Sequence, residues 1–109
     1  MAKNNPLSEA EIINTLSKYL AAYPVDSFGL FGSFSRGDYH QESDIDVLVY
    51  FSQPVDLFTF ARMSRELAGL FGRKVDLVTE NSLHPAFRAS IAHDLKLVRI
   101  SHEKRPALS

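Results

Sequence analysis

The spacing of hydrophobic residues changes along the chain between the period of a helix and the period of a strand. After Ser8 and Glu11, which stand at the spacing of a helix capping box, apolar residues recur every three or four positions as far as Pro24. A second helix is predicted from an N-cap at Asp56 to a C-terminal cap at Gly72. The stripe expected to face the core comprises Leu57, Phe60, Ser64, Leu67 and Phe71.

Four other runs are rich in β-branched and aromatic residues and predict strands, at 25–32, 43–51, 74–79 and 95–100. A short helix is expected to begin at Pro85 and to end near Asp94. Because helices and strands alternate, the fold class is α/β, with a small mixed sheet of about four strands and covering helices.

The length of 109 residues allows one domain, which we place at residues 1–101, with residues 102–109 as a flexible C-terminal tail. Twelve basic and 13 acidic side chains give a net charge of -1, so neither direct nucleic-acid binding nor membrane binding is expected. The absence of cysteine excludes disulfides and thiolate metal sites. No apolar run approaches the roughly 18 residues that span a bilayer, and the N-terminus lacks the apolar core of a signal peptide. We therefore expect a cytoplasmic protein.

A glycine-rich turn is the first candidate for chemistry, because three of the five glycines fall between Gly29 and Gly37. Glycines at a strand-to-helix turn let backbone N–H groups approach an anion, and the N-terminus of the following helix favours negative charge. Ser33 adds a hydroxyl donor, and Arg36 adds a guanidinium suited to phosphate oxygens. Taken alone, the segment is equally consistent with a connecting turn that carries a surface arginine.

Two aspartates follow this turn in the second predicted strand. Side chains alternate along a strand, so Asp44 and Asp46 share a face, with Cα atoms roughly 6.6 Å apart. Asp76 stands near the start of the third strand, which is able to lie alongside. Oxygen ligands favour Mg²⁺ or Mn²⁺. The alternative is a solvated pair at the strand entry, but a phosphate-binding turn beside metal-binding carboxylates is what metal-assisted phosphoryl or nucleotidyl transfer requires.

The segments "GSFSRG" and "SDIDVLV" together resemble the G-S-x-x-x-G…D-x-D signature of the DNA polymerase beta-like nucleotidyltransferase superfamily. The small size and the form G-S-x-x-R-G are similar to its minimal nucleotidyltransferase (MNT) branch. The resemblance implies the polymerase beta-like palm fold. It also implies that Gly32 and Ser33 hold the triphosphate of ATP and that Arg36 contacts it from the following helix.

By the same resemblance, three carboxylates form the catalytic and metal-binding set. Asp44 and Asp46 would ligate two Mg²⁺ ions, for which Mn²⁺ can substitute, and Asp76 would ligate one ion and help to take the proton from the attacking hydroxyl. The metal would lower the pKa of that hydroxyl and neutralise charge on the α-phosphoryl group and on the leaving pyrophosphate.

The acceptor is the remaining question, because only about thirty residues follow Asp76, too few for a second domain. The resemblance implies a helical HEPN-domain partner and a hetero-oligomeric toxin–antitoxin pair. The first hypothesis is an adenylyltransferase that transfers AMP from ATP to a tyrosine hydroxyl of a HEPN RNase toxin, as the antitoxin of a type VII-like pair. Two alternatives stay open: a non-catalytic antitoxin that blocks its partner sterically, and a small-molecule nucleotidyltransferase half-enzyme that a helical subunit completes.

Overall fold

The computed structural model describes residues 8–32, 44–91 and 95–100. The predicted helix after the glycine turn, within residues 33–43, and the predicted tail at 102–109 lie outside these residues. The elements follow the predicted alternation, with one addition, a 3₁₀ turn after the third strand. In chain order they are α1 (Glu9–Leu20), β1 (Val25–Phe31), β2 (Ile45–Phe51), α2 (Leu57–Phe71), β3 (Val75–Thr79), the 3₁₀ turn (Glu80–Ser82), α3 (Pro85–Ile91) and β4 (Lys96–Arg99).

The four strands form one mixed sheet in the order β3-β2-β1-β4. Strand β1 runs antiparallel to both of its neighbours, whereas β2 and β3 run parallel. The predicted fold class is therefore confirmed. The strands are shorter than predicted: β2 begins at Ile45, so Asp44 precedes it, and β4 is confined to Lys96–Arg99.

Helix α1 begins where the sequence predicts. The Ser8 hydroxyl accepts a hydrogen bond from the Glu11 backbone N–H at 3.1 Å, and the Glu11 carboxylate accepts one from the Ser8 N–H at 3.0 Å. This reciprocal capping box satisfies two N–H groups that a helix start otherwise leaves unpaired. The residues that α1 buries against the sheet are Ile12, Leu16 and Leu20.

Helix α2 has the predicted caps, and its predicted face turns toward the core at Phe60, Leu67 and Phe71. Asp56 accepts a hydrogen bond from the Thr59 N–H at 3.0 Å, and Gly72 ends the helix in the left-handed region at φ +67. The core residues of α2 are Met63, Leu67 and Phe71. The prediction was wrong for Leu57, which is 77% exposed. At 3.6 residues per turn, Leu57 falls about a fifth of a turn to one side of the buried row.

The two faces of the sheet differ. On one face, α1 and α2 cover a single apolar core that includes Phe28, Val47 and Leu77. The other face carries a smaller cluster of Phe31, Leu48 and Leu83, with Tyr50, Val78 and Leu95 packed against it. Because strand side chains alternate, Asp46 projects to the second face, beside Leu48. None of the helices in the described part of the chain is long and apolar enough to cross a membrane.

Candidate functional site

Two of the predicted carboxylates stand side by side at the start of the parallel strands. Asp46 of β2 is the register partner of Asp76 of β3. Register partners on adjacent strands share a face and lie about 4.8 Å apart. Asp46 is half-buried and Asp76 is exposed. The prediction that the strand of Asp76 lies alongside that of Asp46 is therefore confirmed.

The third carboxylate, Asp44, lies one residue before β2 and is exposed. A hydrogen bond of 3.0 Å from the Ile45 N–H to the Lys74 carbonyl fixes the backbone here against the start of β3. Because Ile45 is held in this way, Asp44 lies at the same end of β2 and β3 as Asp46 and Asp76.

The donor set fits a divalent ion only in part. Within the described residues, no group of three or more His, Cys, Asp or Glu side chains is gathered closely enough to hold a metal ion. Mg²⁺, however, is commonly bound by one or two carboxylates, with substrate phosphates and waters as the other ligands. The in-register pair Asp46 and Asp76 fits an ion that phosphate oxygens complete, rather than a cage built from protein alone. The metal-binding and catalytic roles of Asp44, Asp46 and Asp76 stay predictions.

The glycine turn begins at the end of β1, next to Asp46. Phe31 is the antiparallel register partner of Asp46, and Gly32 follows at once with a left-handed φ of +75. A residue with a side chain rarely adopts that backbone conformation, so glycine is the natural choice at this turn. Ser33 and Arg36 lie outside the described residues, and their contacts with phosphate stay predictions.

A tyrosine pair that the sequence analysis missed joins the two helices on the other face of the sheet. The Tyr19 hydroxyl donates a hydrogen bond to the Glu66 carboxylate and lies 3.3 Å from the Tyr23 hydroxyl. Burial, and then the hydrogen bonds to Glu66 and Tyr23, raise the pKa of Tyr19. This cluster is structural, because it lies in the helical layer, across the sheet from Asp46. The only signal in the sequence was two tyrosines four positions apart at the end of a helix.

A groove of about 640 Å³ lies at the opposite end of β2 and β3 from the carboxylates. Phe51 and Thr79, the last residues of β2 and β3, line it, and the first turn of α2 supplies Leu57 and Phe60. Tyr50, which also lines the groove, stands four positions after Asp46, about 13 Å along the strand. The groove is therefore separate from the carboxylate site and holds none of the residues predicted to act in catalysis.

A mixed sheet that helices cover on one face, with carboxylates at the start of two neighbouring strands on the other, is the arrangement expected of the polymerase beta-like nucleotidyltransferase fold. The nucleotidyltransferase domain family matches residues 10–106, and the chain belongs to this family. The protein is therefore a transferase enzyme by class.

Sequence and structure comparisons agree on a narrower set of relatives. The chain is 33% identical over 94 residues to the protein adenylyltransferase MntA of Thermococcus cleftensis, a match that covers 84% of this chain and 95% of the relative. It is also similar to a chain from the crystal structure of a toxin–antitoxin with AMP-PNP, with a TM-score of 0.68, 27% identity and coverage of 87% and 75% of the two chains. A crystal structure of an MntA–HepT toxin–antitoxin variant gives a TM-score of 0.67 at 27% identity, over 87% of this chain and 74% of the other.

Proposed function

We propose that the protein is an Mg²⁺-dependent adenylyltransferase that transfers AMP from ATP to a tyrosine hydroxyl of a HEPN-type toxin and so acts as its antitoxin. The observation that carries the proposal is the pairing of Asp46 with Asp76, beside the turn at Gly32. The similarity to a protein adenylyltransferase and to chains from toxin–antitoxin complexes supports the same activity.

Each residue of the site has a part in this reaction. Gly32, Ser33 and Arg36 hold the triphosphate, so that the α-phosphorus faces the carboxylates. Asp44, Asp46 and Asp76 provide oxygen ligands for the metal. Bound Mg²⁺ supplies charge neutralisation on the α-phosphoryl group and the leaving pyrophosphate.

Asp76 acts on the nucleophile. It accepts the proton of the attacking tyrosine hydroxyl as the new bond forms between the tyrosine oxygen and the α-phosphorus. The bond between the α-phosphorus and the bridging oxygen breaks, and pyrophosphate leaves. Because Asp76 is exposed, an acceptor from a second protein is able to reach it without any rearrangement of the sheet.

The alternative is a non-catalytic antitoxin that blocks its partner by binding alone. Leu57 and Phe58, which are 77% and 83% exposed, favour a protein-binding surface, since large apolar side chains side by side at a surface often mark an interface. Against this alternative stands the carboxylate pair itself. Like charges at opposed positions of adjacent strands are destabilising, and a protein with no catalytic task gains nothing from them.

A double variant, Asp44→Asn with Asp46→Asn, separates the two functions in cells that express the HEPN partner. The change removes two metal ligands with little change in volume, so the partner should still co-purify. Adenylyl transfer should fall on the order of 10³-fold or more, because several kcal/mol of charge neutralisation are lost, and toxicity should return. Asp26→Asn is the matched control, since Asp26 lies at the other end of β1 and pairs with Arg99 at 3.6 Å. If the double variant, at normal expression, still protects the cells fully from the toxin, the catalytic proposal is contradicted and the non-catalytic antitoxin is supported.

A further inference from the structure

We propose that Gly32 positions Asp46: the missing side chain at Gly32 leaves the space that the Asp46 carboxylate occupies. This role differs from contact with phosphate, which any residue with a free N–H could provide. Its catalytic consequence rests on the proposed function, but the steric coupling between the two residues does not.

The contact is specific to these two residues. A Cβ built on Gly32 would overlap Oδ2 of Asp46 and would lie 3.3 Å from its Cγ and 3.6 Å from its Cβ. The three nearest heavy atoms all belong to Asp46. The Cα of Gly32 therefore forms one wall of the space that holds the carboxylate, and that wall moves inward if a methyl group is added.

A second glycine, Gly72, shows that a left-handed backbone does not by itself produce this contact. Gly72 has a φ of +67, close to the φ of +75 at Gly32, yet a Cβ at Gly72 would meet nothing within 4 Å. Gly72→Ala thus carries the same kind of backbone strain without the collision. The chain contains its own matched control for Gly32→Ala.

An alanine at position 32 should displace the carboxylate rather than unfold the protein. The obstructing atom is the far end of a side chain, and Asp46 can relieve the overlap by moving to another staggered rotamer. Strand β2 lies between β1 and β3, and the Asp46 carboxylate leans toward Gly32 at the end of β1. A change of rotamer therefore alters the position of this carboxylate relative to Asp76, which β3 holds in register with Asp46. The loss should therefore appear in metal binding and in catalysis more than in stability.

The test compares Gly32→Ala with Gly72→Ala by crystallography, by calorimetric titration with Mn²⁺ in the presence of a non-hydrolysable ATP analogue, and by steady-state kinetics. We expect the Asp46 carboxylate to move only in Gly32→Ala. We expect Mn²⁺ affinity to fall about 10- to 100-fold in that variant, the usual loss when a residue that orients a metal ligand is changed. A positioning role lowers kcat, whereas a role confined to the triphosphate raises the KM for ATP. The melting temperatures of the two variants should fall by similar amounts.

The outcomes separate this inference from the proposed function. An Asp46 carboxylate that stays in place in Gly32→Ala, or Mn²⁺ affinity equal to that of Gly72→Ala, overturns the positioning role. If the carboxylate moves but the unmodified protein neither binds Mn²⁺ nor transfers AMP, the coupling stands and the proposed function fails. Should Gly32→Ala not fold, the double variant Gly32→Ala/Asp46→Ala lacks the obstruction and should fold as Asp46→Ala does. Failure of the double variant as well would overturn the inference.

Discussion

Asp46 and Asp76 bring two negative charges to adjacent positions of parallel strands, an arrangement that is destabilising unless a cation lies nearby. Their neighbours in the strands, Ile45 and Val47 on one side and Val75 and Leu77 on the other, are buried in the main core. The core residues fix the two backbones, so the carboxylates cannot separate by a shift of either strand. At the scale of the residue, the packing of the sheet thus keeps the Asp46 and Asp76 side chains on adjacent positions in spite of their like charge.

The first prediction is that Mg²⁺ stabilises the protein through these carboxylates. A ligand that binds only the folded state adds about 2.7 kcal/mol at a concentration of 100 times its dissociation constant. In the presence of a non-hydrolysable ATP analogue, the melting temperature of the unmodified protein should therefore rise with Mg²⁺, whereas that of Asp46→Asn/Asp76→Asn should not. Scanning calorimetry with Mg²⁺ and with a chelator measures the difference, and Asp26→Asn serves as the control that keeps the response. Equal shifts of the melting temperature in all three proteins would show that Mg²⁺ does not bind at these carboxylates.

At the scale of the element, α1 and α2 are linked by a hydrogen bond as well as by their shared core. Tyr19 donates to Glu66 across 47 positions of sequence, and its ring lies 5.4 Å from that of Tyr23. Burial and these hydrogen bonds favour the neutral phenol and raise the pKa of Tyr19. The helix pair therefore has a dependence on pH that comes from the Tyr19 hydroxyl.

The second prediction follows from the sign of this shift. Above about pH 10 the unfolded chain loses the Tyr19 proton while the folded chain keeps it, so the free energy of unfolding should fall as the pH rises. The contribution is fully present below that pH. The urea midpoint of the unmodified protein should fall more steeply between pH 9 and about pH 11 than that of Tyr19→Phe. Tyr50→Phe, on the other face of the sheet, should keep the steep slope. Parallel curves for the unmodified protein and Tyr19→Phe would show that the hydroxyl does not couple folding to pH.

Local patterns in the sequence predicted the elements better than the contacts between them. The capping box at Ser8 and the C-terminal cap at Gly72 depend on neighbours within a few positions, and both were predicted correctly. The pairing of Asp46 with Asp76 could be predicted only as far as adjacent strands. The alternating pattern fixes the face that each side chain takes, but a slip of two residues keeps every side chain on the same face, so the pattern alone leaves the register open. The bond from Tyr19 to Glu66 was missed for the same reason.

At the scale of the whole molecule, the main hydrophobic core and the candidate catalytic residues lie on opposite faces of the sheet. The core under α1 and α2 supplies most of the buried apolar surface, whereas the carboxylates occupy the other face. Substitutions in the helical layer should therefore act on stability, and substitutions at the start of β2 and β3 should act on function.

The third prediction compares two leucines of α2. Leu67 is fully buried, and Leu67→Ala should lower the free energy of unfolding by about 2–5 kcal/mol through lost burial and a residual cavity. Leu57→Ala makes the same chemical change at a residue that is 77% exposed and should stay within about 0.5 kcal/mol of the unmodified protein. Urea denaturation measures both. Similar losses for the two variants would contradict the position of the buried face of α2.

The most direct test of the central claim is intact-protein and peptide mass spectrometry of the HEPN partner after incubation with this protein, ATP and Mg²⁺. The account predicts that the partner gains the mass of one or more AMP groups on tyrosine. It also predicts no gain with a chelator or with Asp44→Asn/Asp46→Asn, and an unchanged gain with Asp26→Asn. A partner that binds the unmodified protein but stays unmodified under every condition would contradict the account.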